Sequence, residues 1–297
     1  MDASLPSFSV VTPSFNQGAY LEKTILSVLE QEYPNLEYIV IDGGSTDSSV
    51  EIIKKYEKHL KYWVSEPDRG QSHAINKGLS VASGDVLAWL NSDDWFTPGT
   101  LKKVGHLFTS SSEIDVVVGT GDIVDHAGRV VHHKEPPSQI TLEIIFDWLN
   151  SGGFMQPSTF FKRSVWEKVG PIDEQIHIAF DVDLWIRMTQ KGSCFLTTPD
   201  LLSVSLRHEN AKTAAYVELT HVDVALVVAR AGGERFVRGS LEDMARRLAW
   251  CEPNFLKIIH HPLFRLLEPL VRAFTKPAVR WGDTVPLWLK KSRVTDP

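Results

Sequence analysis

Cysteine is nearly absent from this chain. Of 297 residues only Cys194 and Cys251 carry a thiol, and no C-x-x-C pair occurs. That excludes a disulfide scaffold and a thiolate metal centre, and predicts a reducing, cytoplasmic setting. Long hydrophobic runs are also missing. No segment approaches the ~20 apolar residues of a membrane span. The opening MDASLPSFSVVTPSF lacks the charged start and apolar stretch of a signal peptide. The expectation is a cytoplasmic protein, soluble or peripheral on the inner face of the membrane. Positive charge is in deficit, with 31 Lys and Arg against 37 Asp and Glu, a net charge of -6 and a pI near 6.0. An overall basic field is therefore lacking, and nucleic acid is not an expected partner. Neither an internal repeat nor a low-complexity stretch is present. The ordinary proportions of hydrophobic (43%) and charged (23%) residues exclude disordered and fibrous classes.

What is present is an alternation of apolar runs with helical patterns. Phe8 to Val11 reads as a strand, followed by the turn residues Pro13, Ser14, Asn16 and Gly18, and then by Leu21, Ile25, Val28 and Leu29 at helical spacing. Strands are likewise predicted over 36–41, 62–64 and 86–90, with helices over 50–56 and 72–82. Such β-α-β alternation with wholly apolar strands predicts a mostly parallel α/β sheet covered on both faces. In sheets of this kind ligands bind beyond the carboxyl ends of the strands. Three of those ends are polar: Thr12-Pro13-Ser14, Asp42-Gly43-Gly44 and Asn91-Ser92-Asp93-Asp94. From about residue 116 the pattern becomes mixed α+β. Short strands are predicted at 116–118, 123–124 and 130–131, with further strands at 158–161 and 194–197. Helical segments are read over 140–149, 182–188 and much of 211–251.

Five segments carry chemistry. Adjacent carboxylates at Asp93 and Asp94 repel unless a cation sits beside them. Their hard oxygens suit Mg²⁺ or Mn²⁺, and a surface turn capping the next helix is the competing reading. Asp42-Gly43-Gly44-Ser45 can approach a ligand closely or serve as a plain turn and cap. Arg69, in Glu66-Pro67-Asp68-Arg69-Gly70, can pair with a diphosphate or lie in a solvated loop. Asp181 and Asp183 open a helix about 200° apart, from the ~100° turn per residue, so they cannot share one task. A carboxylate at a helix start is also stabilised by the dipole alone. His208 follows the apolar run 201–206 as a metal or phosphate ligand, or as a structural histidine.

Taken together, these segments resemble family 2 glycosyltransferases of the GT-A fold. The likeness covers about residues 6 to 210 and rests on VVTPSFNQGAYLEKTILSVLEQEYPNLEYIVIDGGSTDSS, SEPDRGQSHAINKGLSVASGDVLAWLNSDDWFTPG, QPSTFFKRSVWEKVGPIDE and FDVDLW, in matching order and spacing. The resemblance implies a GT-A type Rossmann-like, mostly parallel sheet flanked by helices, with a mixed α+β acceptor half and a helical C-terminal extension. Position by position, it implies Asp42 as the acidic residue that reads uracil. Thr12, Pro13 and Ser14 correspond to the loop beneath the nucleotide, and Arg69 to a donor-contacting arginine. Asn91-Ser92-Asp93 corresponds to the D-x-D signature, with Asp93 the ligand of Mn²⁺ or Mg²⁺. Asp181 matches the catalytic base, and His208 a histidine near the metal or diphosphate. Two departures stand out: Asn91 occupies the first D-x-D position, and Phe180 the acidic position that often precedes the base.

The implied activity is metal-dependent, inverting transfer from a nucleotide-sugar, with UDP the expected nucleotide, to the hydroxyl of a saccharide or lipid-linked saccharide. Cell-surface polysaccharide or glycoconjugate synthesis is the implied setting. An inactive scaffold that binds nucleotide-sugar or a partner enzyme is the alternative. The implied layout is a catalytic domain over 1–210, divided at 115 into nucleotide-sugar and acceptor halves, and an extension over 211–297. The tail over 254–297 carries eight Lys or Arg against Glu268, Asp283 and Asp296. Its basic, Trp-bearing character suits an anionic membrane surface. Pro262, Pro269, Pro277 and Pro286 interrupt any long helix and favour packing on the catalytic domain or an oligomer contact instead.

Overall fold

The computed structural model describes residues 5–151, 153–208, 211, 217–243 and 245–246. The tail reading over 254–297 therefore lies outside the described residues. The chain divides into two compact units, Met1–Ser240 and Leu241–Pro297.

The first unit is built on a nine-stranded sheet with the order β3-β2-β1-β4-β8-β6-β9-β5, and β7 pairs with β6 off this path. Four parallel strands form one half: β1 (Phe8–Ser14), β2 (Leu36–Asp42), β3 (Tyr62–Ser65) and β4 (Val86–Trp89). Between them run α1 (Leu21–Leu29), α2 (Ser49–Tyr56) and α3 (Gln71–Val81). Side chains alternate strictly between two buried clusters. Val11, Ile39, Ile41, Leu87 and Trp89 face one way. Val10, Tyr38, Val40, Val86 and Ala88 face the other, against Leu21, Ile25 and Val28 of α1. Both faces of these strands are thus covered, which is why they read as unbroken apolar runs. Helix α3 sits very close to the sheet: a β-carbon on Gly78 would stand 2.3 Å from Val11 Cγ1.

The second half follows from β5 (Asp94–Phe96), α4 (Thr100–Ser110), β6 (Val116–Val124), β7 (Val130–Lys134), α5 (Leu142–Phe146), α6 (Trp148–Ser151), β8 (Thr159–Lys162), α7 (Arg163–Val169), α8 (Phe180–Gln190) and β9 (Phe195–Leu206). Strand β8 joins β4 antiparallel and β6 continues the sheet, with β9 parallel to β6 and β5 antiparallel to β9. The short strands expected at 116–118 and 123–124 are one continuous strand. A β-carbon at Gly119 would lie 2.3 Å from Leu202 Cδ1, so the glycine admits a neighbouring side chain within the sheet. Helix α9 (Val217–Val228) belongs to the first unit and buries Val224, Ala225, Val227 and Val228 in the same cluster as Trp185 of α8. The boundary expected at 210 therefore falls inside this unit. Among the described residues no helix is long and apolar enough to cross a membrane.

Candidate active site

The carboxyl ends of β1, β2 and β4 set the site. A cleft of about 1130 Å³ opens there, lined by Pro13, Ser14 and Phe15 after β1, Asp68, Gly70 and Gln71 before and within α3, and Asn91 to Asp94 after β4; from the far half come Gln156, Asp181 and Arg207. The registers explain the convergence. Ser14 stands opposite Asp42 at the ends of the parallel pair, and the Gly43 amide donates to the Ser14 carbonyl at 2.8 Å. At Gly70 the backbone turns at φ +112°, a left-handed conformation that suits glycine, and α3 starts immediately behind it on the cleft wall.

The acidic strand end divides its labour. Asp94 is buried, pairs with Ser205 across the β5/β9 ladder and accepts from Asn91 Nδ2 at 3.2 Å. Burial, and then the neighbouring Asp93 charge, hold its carboxyl well above the usual range. Of the pair, Asp93 is the more open to the cleft, its side chain 20% exposed. Its Oδ2 lies 3.0 Å from Nε2 of His208, whose side chain is almost wholly buried beside Tyr20. Asn91 is clamped by amides: Gln71 Nε2 donates to its Oδ1 at 2.8 Å, and its Nδ2 reaches Gln156 Oε1 at 3.4 Å. Gln156 in turn donates to the Trp89 carbonyl at 2.9 Å.

On α8, Asp181 lines the cleft whereas Asp183 receives Arg187 Nε at 2.8 Å. Arg187 also donates to the Val169 carbonyl at 2.7 Å, so Asp183 is held in a structural network on the opposite side of the helix. Beneath them Trp89 and Trp185 stack with ring centroids 5.6 Å apart and planes 10° from parallel.

Of the residues singled out in the sequence, Pro13, Ser14, Asn91, Ser92, Asp93 and Asp181 line the cleft, and His208 touches it through Asp93. Three are placed elsewhere. Thr12 is fully buried, with its hydroxyl 3.0 Å from the Tyr38 phenol. Asp42, expected to read a base, is fully buried too. Its Oδ2 accepts from the Gly44 and Ser45 amides and from Ser65 Oγ, and its Oδ1 from Ser45 Oγ, so both oxygens serve the β2 turn. Arg69, expected on the donor, turns outward and gives Nε and Nη2 to Glu174 at 2.9 and 2.6 Å. Conversely, Phe15, Asp68, Gln71, Gln156 and Arg207 line the cleft without having been singled out. An aromatic directly after a strand-end turn was the available signal for Phe15, which is 59% exposed.

Comparison with known proteins settles the family. The family model described as glycosyl transferase family 2 matches residues 9–170. The chain belongs to that family. An uncharacterized glycosyltransferase of Mycobacterium tuberculosis is 32% identical over 186 residues, covering 62% of this chain and 69% of the relative. One from Rickettsia typhi is 26% identical over 199 residues, covering 64% of this chain and 61% of the relative's length. In structure the chain resembles Staphylococcus aureus TarS 1-349 in complex with UDP-GlcNAc, with TM-score 0.58, 19% identity and coverage of 87% of this chain and 77% of that one. It also resembles the mannosyltransferase PcManGT from Pyrobaculum calidifontis in complex with GDP-Man and Mn²⁺, with TM-score 0.56, 18% identity, and coverage of 88% and 82%. These likenesses establish a GT-A type fold, the mostly parallel sheet with flanking helices expected from the sequence.

Proposed function

We propose that this cleft transfers a sugar from a nucleoside-diphosphate sugar to an acceptor hydroxyl, with inversion at the anomeric carbon. One observation carries the reading: Asp93, backed by the buried His208, and Asp181 on α8 line a single cleft at the strand ends, together with the exposed Phe15 ring. The donor set fits a divalent ion. Oδ2 of Asp93 and Nε2 of His208 stand 3.0 Å apart. That is the separation of adjacent ligands each about 2.1 Å from an octahedral ion. No group of three His, Cys, Asp or Glu residues gathers among the described residues, so most coordination positions would go to water and diphosphate oxygens, as Mg²⁺ and Mn²⁺ favour. When bound, such an ion neutralises charge on the departing nucleotide.

The remaining roles belong to this chain's own side chains. Phe15 offers a face on which a base stacks, and Arg207 a cation for the diphosphate. Ser14 Oγ is buried without a partner among the described residues, and Ser14 lines the cleft, which suits a hydrogen bond to the ligand. Asn91 and Ser92 contact the ribose or sugar. Asp181 takes the proton from the acceptor hydroxyl as its oxygen attacks the anomeric carbon. The proton ends on Asp181 and the bonding pair leaves with the diphosphate. One base and one in-line displacement invert the centre. The bound nucleotides of the two structural neighbours support a UDP or GDP donor, and the acceptor is a saccharide or lipid-linked saccharide of glycoconjugate assembly. The test is thermal stabilisation by a panel of UDP- and GDP-sugars with Mn²⁺, followed by metal-dependent nucleotide release on adding acceptors. Lack of stabilisation by every member overturns the reading.

A further inference from the structure

Asp42 is fully buried and committed to its own turn, so the cleft needs another group to recognise a base. The geometry beyond β2 supplies one. Gly43 has no side chain, and the space above it is taken by Asp68: a β-carbon on Gly43 would stand 2.8 Å from Asp68 Oδ2. Asp68 is fixed from the other side, because its Oδ1 accepts the Gly70 amide at 2.7 Å. Its Oδ2 is left over Gly43, on a residue that lines the cleft. Gly43 is itself tied to Ser14, one residue before Phe15. The tops of β1 and β2 and the loop after β3 thus join Phe15 and Asp68, both of which line the cleft, through the bare Gly43 backbone between Ser14 and Asp68. The other cleft carboxylates are differently engaged: Asp93 is against His208, Asp94 is buried, and Asp181 lies on α8.

We infer that Asp68, across the gap left by Gly43, is the specificity-determining acceptor for the base of the donor. An ionised carboxylate accepts and cannot donate. It therefore selects a base whose Watson–Crick edge presents a ring N–H, which uracil has at N3 and guanine at N1, and disfavours cytosine, whose N3 is an acceptor. Gly43 leaves room for that carboxylate to reach over the turn. The inference rests on the reading of the cleft as a nucleotide-sugar site.

The experiment is calorimetric titration of UDP, GDP and CDP into the full chain and into Asp68→Asn, with Mn²⁺ present. The native chain should bind UDP or GDP at least tenfold more tightly than CDP. In Asp68→Asn, whose amide can also donate, that gap should shrink by tenfold or more. Should the variant fold poorly, the native chain alone decides: N3-methyl-UDP or 1-methyl-GDP should lose at least tenfold against its parent. Equal binding of UDP, GDP and CDP by the native chain, an unchanged preference in Asp68→Asn, or indifference to N-methylation would overturn the role of Asp68 while leaving the nucleotide site standing. If no nucleoside diphosphate binds the native chain, both fail.

Discussion

Nε2 of His208 lies 3.0 Å from Oδ2 of Asp93, although 115 residues separate them in the chain. The pairing is made by the sheet: Asp94, just after Asp93, stands opposite Ser205, three residues before His208.

Asp93→Ala should abolish Mn²⁺-dependent UDP binding and sugar transfer while leaving the melting temperature within a few degrees of native. His208→Ala should weaken Mn²⁺-dependent binding by tenfold or more, and a chelator should reproduce both losses in the native chain. Calorimetry with and without Mn²⁺ measures this. Undiminished metal-dependent binding in Asp93→Ala would sink the assignment.

Asp181→Asn should keep donor affinity and lower kcat by about 10²-fold or more, the scale of a lost general base. Asp183→Asn should act through stability, because it releases Arg187 from the network that joins the end of α7 to α8. Steady-state kinetics and melting curves on both variants separate the two carboxylates. A dead Asp183→Asn beside an active Asp181→Asn reverses the roles.

Arg69 and Glu174 form an ion pair with the arginine side chain 68% exposed. Exposed pairs contribute about 0–1 kcal/mol. Arg69→Ala should therefore change stability within that range and leave UDP affinity unaltered. A tenfold loss of UDP binding would restore Arg69 to the donor site.

Glu37 gives a pH dependence far from the cleft. Its burial favours the neutral acid, but hydrogen bonds from Ser83 Oγ and N and from Ser9 Oγ, with Lys61 nearby, prevail and bring its pKa down to about 2. A carboxyl depressed in the folded state contributes stability above its unfolded pKa and loses it as pH falls through the folded value. The contribution of Glu37, on the order of 2–3 kcal/mol from that shift, should be complete above pH ~5 and gone near pH 2. Denaturant melts of Glu37→Gln and native chain across that window test it. A stability gap that does not narrow towards low pH contradicts the account.

Much of the fold was legible because the parallel strands are buried on both faces, so Val10, Val11, Ile39, Val40 and Ile41 stand out without any partner being known. The strand-end residues Asn91, Ser92 and Asp93 and the opening of α8 at Asp181 were legible for the same reason, as polar breaks in apolar periodicity. Asp42 was not, because a strand-end aspartate has the same sequence signature whether it meets a ligand or caps its own turn. The hydrogen bonds it accepts from Ser65 of β3 and from the local amides are not visible in that signature. The contact of Arg69 with Glu174, 105 residues away, has no signature in the sequence around either residue. Strand β5 is three residues long and is held by β9, a pairing no local pattern announces.

The β5/β9 ladder has one further consequence. It fastens two sequence-distant segments of the cleft at the edge of the sheet, where a short strand has a single neighbour. An ion spanning Asp93 and His208 would act there as a removable staple, closing a loop of more than a hundred residues at its weakest seam. Amide exchange in Asp94–Phe96 and Ser203–Ser205 should then slow on adding Mn²⁺, while β1 and β2, buried at the centre, keep their native rates. Occupancy of the site and the integrity of this edge would then be a single thermodynamic quantity.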